Sequence, residues 1–577
     1  MSIKTPGVTA PEAGLTVRYE DRCVPARPGS SIAAALTAAD IRVCRQSAAG
    51  DRGLFCGMGV CGECSIEVDG RPGQLACMTP VEDGMRLRRQ PAAPSADVTA
   101  APEPGPAEQI VRADVVVVGG GPAGLAAAAT AAEAGADVLL VDERASLGGQ
   151  YYKQPASSFV LDPAALDRQY SAGRELIQRV RAAPVRIFSG VRIWGADGPG
   201  RLYAARGREQ FEFRTERLIL ATGAYERAVP FPGWTLPGVM TTGAGQSLLR
   251  AYQVAPGHRL LVAGNGPLNV QLAAELARAG GTVVGLVEVA RMFSPGRAIA
   301  ALAMAASAPS LTRDGLGYLA GLRRARVPIL TGSAVVRVDG DGRAQRAVVA
   351  RLDHDGRAVP GTERSFDVDA VCVGLGFMPG NELARLLGLR YSVDPGTGGY
   401  VLERSPSGRS SLEHVWVVGD GAEVRGAKVA ESIGTLAGAE AAVSLGRPVC
   451  DLRATRRQRD RHEQFQRALW RAYRAPALFS QLADPQTIVC RCENVTLATI
   501  AATAREVHSS GALKRLTRAG MGQCQGRFCG FMVTHLVAET TGVPADAQSG
   551  FAPQPPLRPV QVSALAAPGR PAKPEPR

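Results

Sequence analysis

The 577-residue sequence predicts a multidomain α/β protein in which a large central portion is flanked by two small cysteine-bearing modules. Three observations carry this. A chain of that length divides into three or four domains rather than closing around one core. Twice in the centre, an apolar strand runs into a glycine turn, a helix and a second strand ending in acid, the pattern of parallel sheets in two dinucleotide-binding domains. Eight of the twelve cysteines fall in two tight groups near the ends, Cys56, Cys61, Cys64 and Cys77, then Cys490, Cys492, Cys524 and Cys529.

The order along the chain follows from composition. Residues 15–90 form the first module, and the Pro/Ala-rich stretch 91–109 suits an extended linker. The central portion spans 110–450, with its second nucleotide-binding insert at about 245–350. A charged helical connector, 451–483, leads to the second module at 484–545, and the proline-rich tail 551–577 is expected to be disordered.

Bulk properties narrow the function. At 45% hydrophobic and 21% charged residues the composition is that of an ordinary globular protein. The apolar stretch 298–308 is too short to span a membrane, and residues 1–29 lack a signal-peptide pattern, so the cytoplasm is the expected compartment. The formal charge of +13 comes from Arg spread along the whole chain. With no run of five or six basic residues and 5% aromatics, a solvated Arg-rich surface is expected rather than nucleic-acid binding. Six scattered His argue against a His-based metal site or a Ser/His/Asp triad. Twelve Cys in such a chain point to metal or redox use rather than disulfides, with Cys23, Cys44, Cys372 and Cys450 left as structural thiols.

The first glycine turn is Gly119-Gly120-Gly121-Pro122-Ala123-Gly124, a G-x-G-x-x-G between strand and helix. Gly119 turns the chain, Gly121 lets the backbone approach a pyrophosphate, and Gly124 lets helix and strand pack closely. The helix N-terminus supplies free N–H groups for the phosphates. Just over twenty residues on, Asp142 is favoured as the ribose acceptor, with Glu143 as the alternative. Further segments follow in order: Gly148-Gly149-Gln150, then Ala221-Thr222-Gly223-Ala224 after a strand, then Val417-Val418-Gly419-Asp420-Gly421 after another. Together these motifs resemble the two-dinucleotide-domain fold of the glutathione-reductase type. The resemblance implies FAD at Gly119 to Gly124, with Asp420 on the ribityl chain. One departure matters: disulfide reductases of this fold carry a redox Cys pair beside the flavin, and no C-x-x-C occurs between residues 110 and 450. Dithiol chemistry is excluded, and electrons must leave by another route.

The second turn, Gly264-Asn265-Gly266-Pro267-Leu268-Asn269, keeps two glycines and replaces the third by Asn269, which is expected to loosen the helix–strand approach. Glu288 ends the next strand, where it would favour NAD over NADP. Two readings stay open: an NAD site, or a retained domain whose site is vestigial or takes another ligand.

Cys56-x4-Cys61-x2-Cys64, with Cys77 beyond, has plant-type ferredoxin spacing, and Gly57, Gly59 and Gly62 let a loop wrap a cluster. Zinc is the competitor, since four Cys also suit it. The resemblance over 15–90 implies a β-grasp ferredoxin domain with a 2Fe–2S cluster. The second group, Cys490-x-Cys492 and Cys524-x4-Cys529 among Gly520, Gly522, Gly526 and Gly530, resembles the small helical domain of bacterioferritin-associated ferredoxin, implying a second 2Fe–2S cluster. Arg491, Arg518 and Arg527 either offset cluster charge or lie on the surface.

In this order the modules resemble the α-type subunit of bacterial FAD-dependent amine and imino-acid dehydrogenases: opine oxidase, hydrogen cyanide synthase, D-hydroxyproline dehydrogenase and, more distantly, sarcosine oxidase, here with the ferredoxin domain fused. The resemblance implies an electron-transfer subunit working with a second FAD-dependent amine- or amino-acid-oxidising subunit. Catalytic residues, substrate, electron acceptor and peripheral membrane association through a partner are left open. A self-sufficient NADH-dependent reductase and an iron–sulfur redox sensor are the rival readings.

Overall fold

The computed structural model describes residues 2–92, 108–292 and 297–562. The linker expected at 91–109 and the last residues of the tail fall largely outside this range.

The N-terminal module is a five-stranded sheet in the order Arg22–Ala26, Leu15–Tyr19, Arg86–Arg88, Ser65–Val68, Arg71–Leu75. It grips the helix Ile32–Ala38, whose first turn is capped by Ser31 Oγ accepting from Ala34 N at 3.2 Å. Ile32 to Thr37 are all buried, so this short helix is held by packing rather than by intrinsic propensity. The residues ahead of it also contribute: Val8–Thr9 pairs antiparallel with Val160–Leu161, and Ile3 N donates to Gln253 O, stitching the module to the centre.

The first central unit has a parallel core running Val185–Ser189, Val138–Asp142, Gln109–Val118, Glu209–Leu220 and Val415–Val417, with two antiparallel strands beyond it. Its strand ends are apolar on both faces: helices Pro122–Glu133, Arg168–Ala182 and Ala427–Ser444 pack on one, and Leu202, Phe211, Leu383, Leu402 and Leu557 on the other. Helices Pro122–Glu133 and Ala427–Ser444 lie backbone to backbone. A Cβ on Gly434 would stand 2.1 Å from Ala123 O, and one on Gly438 2.3 Å from Ala127 O.

The second unit is a five-stranded parallel sheet in the order Val239–Thr241, Ala370–Gly374, Arg259–Gly264, Thr282–Glu288, Ile329–Thr331. It therefore reaches from 239 to 374, wider than the expected 245–350. Ala370–Gly374 arrives from more than a hundred residues away to pair with Arg259–Gly264, and no local pattern announces such a pairing.

Helix Arg453–Ala472 forms the connector. The last module carries a short hairpin, Ile488–Cys490 with Val495–Thr496, and three helices, Leu497–Ala504, Ser510–Thr517 and Gly530–Thr541. The tail departs from expectation over 551–562. Phe551 and Leu557 are buried, and Leu557 N donates to Trp194 O at 2.7 Å. These two apolar anchors are joined by hydrogen bonds from Arg385 to Phe551 O at 2.7 Å and from Arg527 to Leu557 O at 2.9 Å. Among the described residues no helix is long and apolar enough to cross a membrane.

Candidate functional site

A single cavity of about 1340 Å³ collects the first glycine turn and its companions: Gly119, Gly121, Pro122, Ala123, Asp142, Glu143, Gly149, Gln150, Ala221, Thr222, Gly223, Gly419 and Asp420 all line it. Gly124 sits behind the turn, where a Cβ would stand 1.8 Å from Gly119 O. Gly119 has φ +111°, and a Cβ there would meet Ala221 O at 2.2 Å, so only glycine makes this turn. Gly149, at φ +62°, closes on the Gly121 Cα. The cradle thus has the shape a dinucleotide pyrophosphate requires.

The two acids at the strand end separate by environment. Asp142 is buried, accepting from Gly120 N and, at 2.7 Å, from Arg144 N. Burial pushes its carboxyl up to about 6 in spite of those two donors. Glu143 instead faces Arg558 Nε at 3.6 Å, a residue of the tail. Asp420 accepts from Arg425 N at 3.0 Å and Gly426 N at 3.1 Å, and burial raises its pKa.

The same cavity holds a polar group that sequence reading missed. Lys153 donates to Gln150 O at 2.6 Å and to Gln246 Oε1 at 2.9 Å. Glu226 Oε2 accepts from Gly243 N at 2.8 Å, while Glu226 Oε1 and Gln246 Nε2 are buried with no partner among the described residues. A carboxylate, an amide donor and an ammonium therefore face one space. The available signal was Lys153, three residues past Gln150; Glu226 and Gln246 carry none. Burial pulls the Lys153 ammonium down to about 7 and pushes the Glu226 carboxyl up to about 7. Their effects on stability run in opposite directions. Glu226 holds its proton more tightly folded than unfolded, so its contribution is present below the ordinary carboxylate range and lost as pH rises towards 7. Lys153 holds its proton less tightly when folded, so stability recovers from about pH 7 upward. Glu226→Gln is expected to flatten the acid arm of the stability curve and Lys153→Met the alkaline arm, as read by denaturant titrations between about pH 5 and about pH 9.

The second glycine turn is built differently. Gly264 has φ +146° and closes on Gly374 O. Gly266 N donates to Glu288 Oε2 at 3.1 Å, and Glu288 is fully buried, which raises its pKa well above the usual range. Asn269 tightens rather than loosens the unit. Its Nδ2 donates to Gly374 O at 2.9 Å and its Oδ1 accepts from Thr242 Oγ1 at 2.7 Å, replacing the missing glycine contact with two hydrogen bonds. The connector lies across this turn. Trp470 is 3.8 Å from where a Gly266 Cβ would be, and Asn265 Nδ2 donates to Tyr473 O at 3.0 Å. Gly266 and Asn269 face the cavity, but Glu288 does not line it.

In the N-terminal loop Cys56, Cys61, Cys64 and Cys77 are all buried. Gly57, Gly59 and Gly62 take φ of +62°, +76° and +71°, curling N–H groups inward. Cys61 N reaches Cys56 Sγ at 3.4 Å, and Glu63 N reaches Cys61 Sγ at 3.4 Å. The thiols approach in pairs, Cys56 with Cys61 and Cys64 with Cys77. The C-terminal loop does likewise, Cys490 with Cys529 and Cys492 with Cys524. Two thiols per iron is what a binuclear cluster asks of its loop, whereas a zinc ion asks for four around one centre. Gly520 N lies 3.5 Å from Cys490 Sγ, and a Cβ on Gly522 would stand 2.2 Å from Cys492 Cβ. Of the three arginines, Arg491 and Arg527 are buried, paired with Glu63 at 3.1 Å and Glu382 at 2.9 Å. Arg518 is a surface residue paired with Glu493.

Comparison with known proteins agrees with this layout. Residues 113–442 match the pyridine nucleotide-disulphide oxidoreductase family, 12–92 a 2Fe-2S iron-sulfur cluster binding domain, and 488–539 a BFD-like 2Fe-2S binding domain. The chain is 34% identical over 462 residues to an opine oxidase subunit of Rhizobium meliloti (strain 1021), across 78% of this chain and 98% of that protein. It is 34% identical over 426 residues to the hydrogen cyanide synthase subunit HcnB of Pseudomonas aeruginosa, across 72% and 90%. Its fold overlays the crystal structure of L-proline dehydrogenase from P. horikoshii with a TM-score of 0.69 at 21% identity, covering 96% of this chain and 97% of that one. The glycine cradle, the paired thiols and these matches converge: the chain is a flavin oxidoreductase with two 2Fe–2S domains and belongs to the pyridine nucleotide-disulphide oxidoreductase family, alongside the opine oxidase subunit and HcnB.

Proposed function

We propose that this chain is the electron-transfer subunit of an amine or amino-acid dehydrogenase complex acting on CH–NH or CH–NH2 donors, with a second FAD-dependent subunit oxidising the substrate. One observation carries the reading. Met58 from the N-terminal cluster loop and Arg527 from the C-terminal loop both line the flavin-type cavity, while no cysteine does. Relatives named as subunits of opine oxidase and hydrogen cyanide synthase support the need for a partner. We place the chain in the cytoplasm on its cysteine usage.

FAD, when bound, supplies two-electron chemistry and the clusters one-electron chemistry. The chain's residues position these groups. Gly121 and Ala123 at the helix start would offer N–H groups to the pyrophosphate, Asp142 would accept from the adenosine ribose, and Asp420 would orient the ribityl chain. Cys56, Cys61, Cys64 and Cys77 would hold one cluster, and Cys490, Cys492, Cys524 and Cys529 the other. Co-purification from the native host tests this, with iron, flavin and absorbance measured together. A second flavoprotein and about four irons for each copy of this chain are expected. Amine oxidation by this chain alone would overturn the proposal.

For the second turn we infer a structural role rather than an NAD site. Glu288 is fully buried outside the cavity lining, with Oε2 engaged by Gly266 N, and Trp470 stands over the turn. NADH is therefore expected to leave the visible spectrum of the purified chain unchanged. Rapid bleaching would restore the NADH-dependent reductase.

A further inference from the structure

The two cluster loops, more than four hundred residues apart in sequence, are pressed against each other. Cys492 Sγ lies 3.9 Å from Cys61 O. A Cβ on Gly62 would be 2.1 Å from Gln523 Oε1, which instead accepts from Ser65 Oγ at 3.3 Å. At the centre of this seam stands Glu63, between Cys61 and Cys64, with a side chain 0% exposed. Its carboxylate meets three guanidinium groups: Arg45 at 2.8 Å, Arg52 at 3.5 Å and Arg491 at 3.1 Å. Arg45 and Arg52 come from the N-terminal module. Arg491 comes from between the two cysteines Cys490 and Cys492 of the other loop.

Arg491 is held on every side. Its guanidinium lies 3.9 Å from the Phe55 ring and 4.6 Å from the Trp234 ring, and its Nη1 donates to Trp234 O at 2.6 Å. Arg52 also reaches across the seam, donating to Asn494 Oδ1 at 2.9 Å. One buried carboxylate among three arginines leaves a positive excess, and Arg491 Nε is buried with no hydrogen-bond partner among the described residues. Burying uncompensated guanidinium charge is unfavourable unless negative charge stands beside it. Two thiolate-ligated clusters, one on each side, supply it.

We propose that Glu63 is a positioning residue that clamps the two cluster loops into one two-centre relay, with electrons passing between the clusters across the Cys61–Cys492 contact. In each transfer one cluster is oxidised and the other reduced by one electron, with no bond made or broken. This rests on both cysteine groups holding 2Fe–2S clusters, and the iron count tests that separately.

The test uses the full chain, fully reduced with dithionite and read by electron paramagnetic resonance. Wild type is expected to hold about four irons per chain and show two spins broadened by mutual magnetic coupling. Glu63→Gln is expected to keep its iron, lose much of that broadening, and shift both cluster potentials upward, since one negative charge has left the seam. If Glu63→Gln does not load iron, Arg491→Gln, which keeps Glu63 paired with Arg45 and Arg52, is read instead for the same loss of broadening. Two unbroadened, independent spins in wild type would overturn the relay. Full iron with unchanged broadening and potentials in the variant read would overturn the role of Glu63. About two irons per chain in wild type would instead remove a cluster, and the proposal with it, on the iron count alone.

Discussion

Gly124→Ala is expected to strip the flavin from the chain and to lower its stability by about 3 kcal/mol or more. The new Cβ would stand 1.8 Å from Gly119 O, 3.0 Å from Gly119 C and 3.1 Å from Ala221 Cβ. Two of those three atoms are backbone of the turn itself, so relief cannot come from rotating a side chain. The helix Pro122–Glu133 would have to lift from the strand Gln109–Val118, carrying its N-terminal N–H groups away from the cavity. It would also lift from Ala427–Ser444, whose Gly434 and Gly438 leave no slack against Ala123 and Ala127. A control separates this steric effect from the general one of replacing glycine. Gly321, inside the helix Pro309–Arg324, has nothing within 4 Å of an added Cβ and no positive φ. Gly321→Ala should therefore stabilise the chain by about 0.5–1 kcal/mol, with flavin content unchanged. Flavin-to-protein absorbance and denaturant unfolding read both variants. Full flavin retention by Gly124→Ala would show that the helix–strand approach is not what holds the cofactor.

Gly124 was legible in the sequence because its requirement is local. The strand, the turn and the helix lie within one short segment, and the glycine spacing records the close approach directly. The cluster cysteines were legible for the same reason, as spacing within a loop reflects the shape of what the loop wraps. What escaped were contacts made between segments distant in the chain. Ala370–Gly374 pairs with Val239–Thr241 and Arg259–Gly264, each more than a hundred residues before it. Phe551 and Leu557 are two apolar residues in a proline-rich run, and their burial depends on surfaces supplied by the C-terminal module and by Trp194. Asn269 departs from the looser approach expected of a non-glycine residue because its side chain bonds Gly374 O and Thr242 Oγ1, partners that the local sequence does not reveal. Glu226, Gln246 and Glu63 look like ordinary polar residues along the chain. Their roles arise where loops from separate domains meet, and no periodicity encodes that.

Cys64→Ser and Cys44→Ser should part company completely, although both thiols are buried in the same module. Cys64 approaches Cys77 in one of the two thiol pairs of the N-terminal loop. Its replacement is expected to take iron from about four to about two per chain, removing a whole cluster, because half of one iron's protein ligands is gone. The loss should exceed the roughly 10–100-fold drop in affinity typical when only a residue behind a ligand is changed. Flavin should be retained, since no cysteine lines the cavity. Cys44 lies close to Cys77, but its backbone is tied into the sheet, with Cys44 N donating to Arg52 O and Gln90 N to Cys44 O. Burial pushes its thiol up to about 12, and it lies outside the Cys56-x4-Cys61-x2-Cys64 loop. Cys44→Ser should keep all of its iron, at the modest stability loss of a polar atom placed in a core. Iron lost from Cys44→Ser but kept in Cys64→Ser would mean that the loop is wrapped around its cluster differently. The pairing that argues against zinc would then have to be redrawn. If instead both behave as expected, the reduced Cys64→Ser chain should show the single unbroadened signal of the C-terminal cluster, giving the uncoupled spectrum against which the wild-type seam is measured.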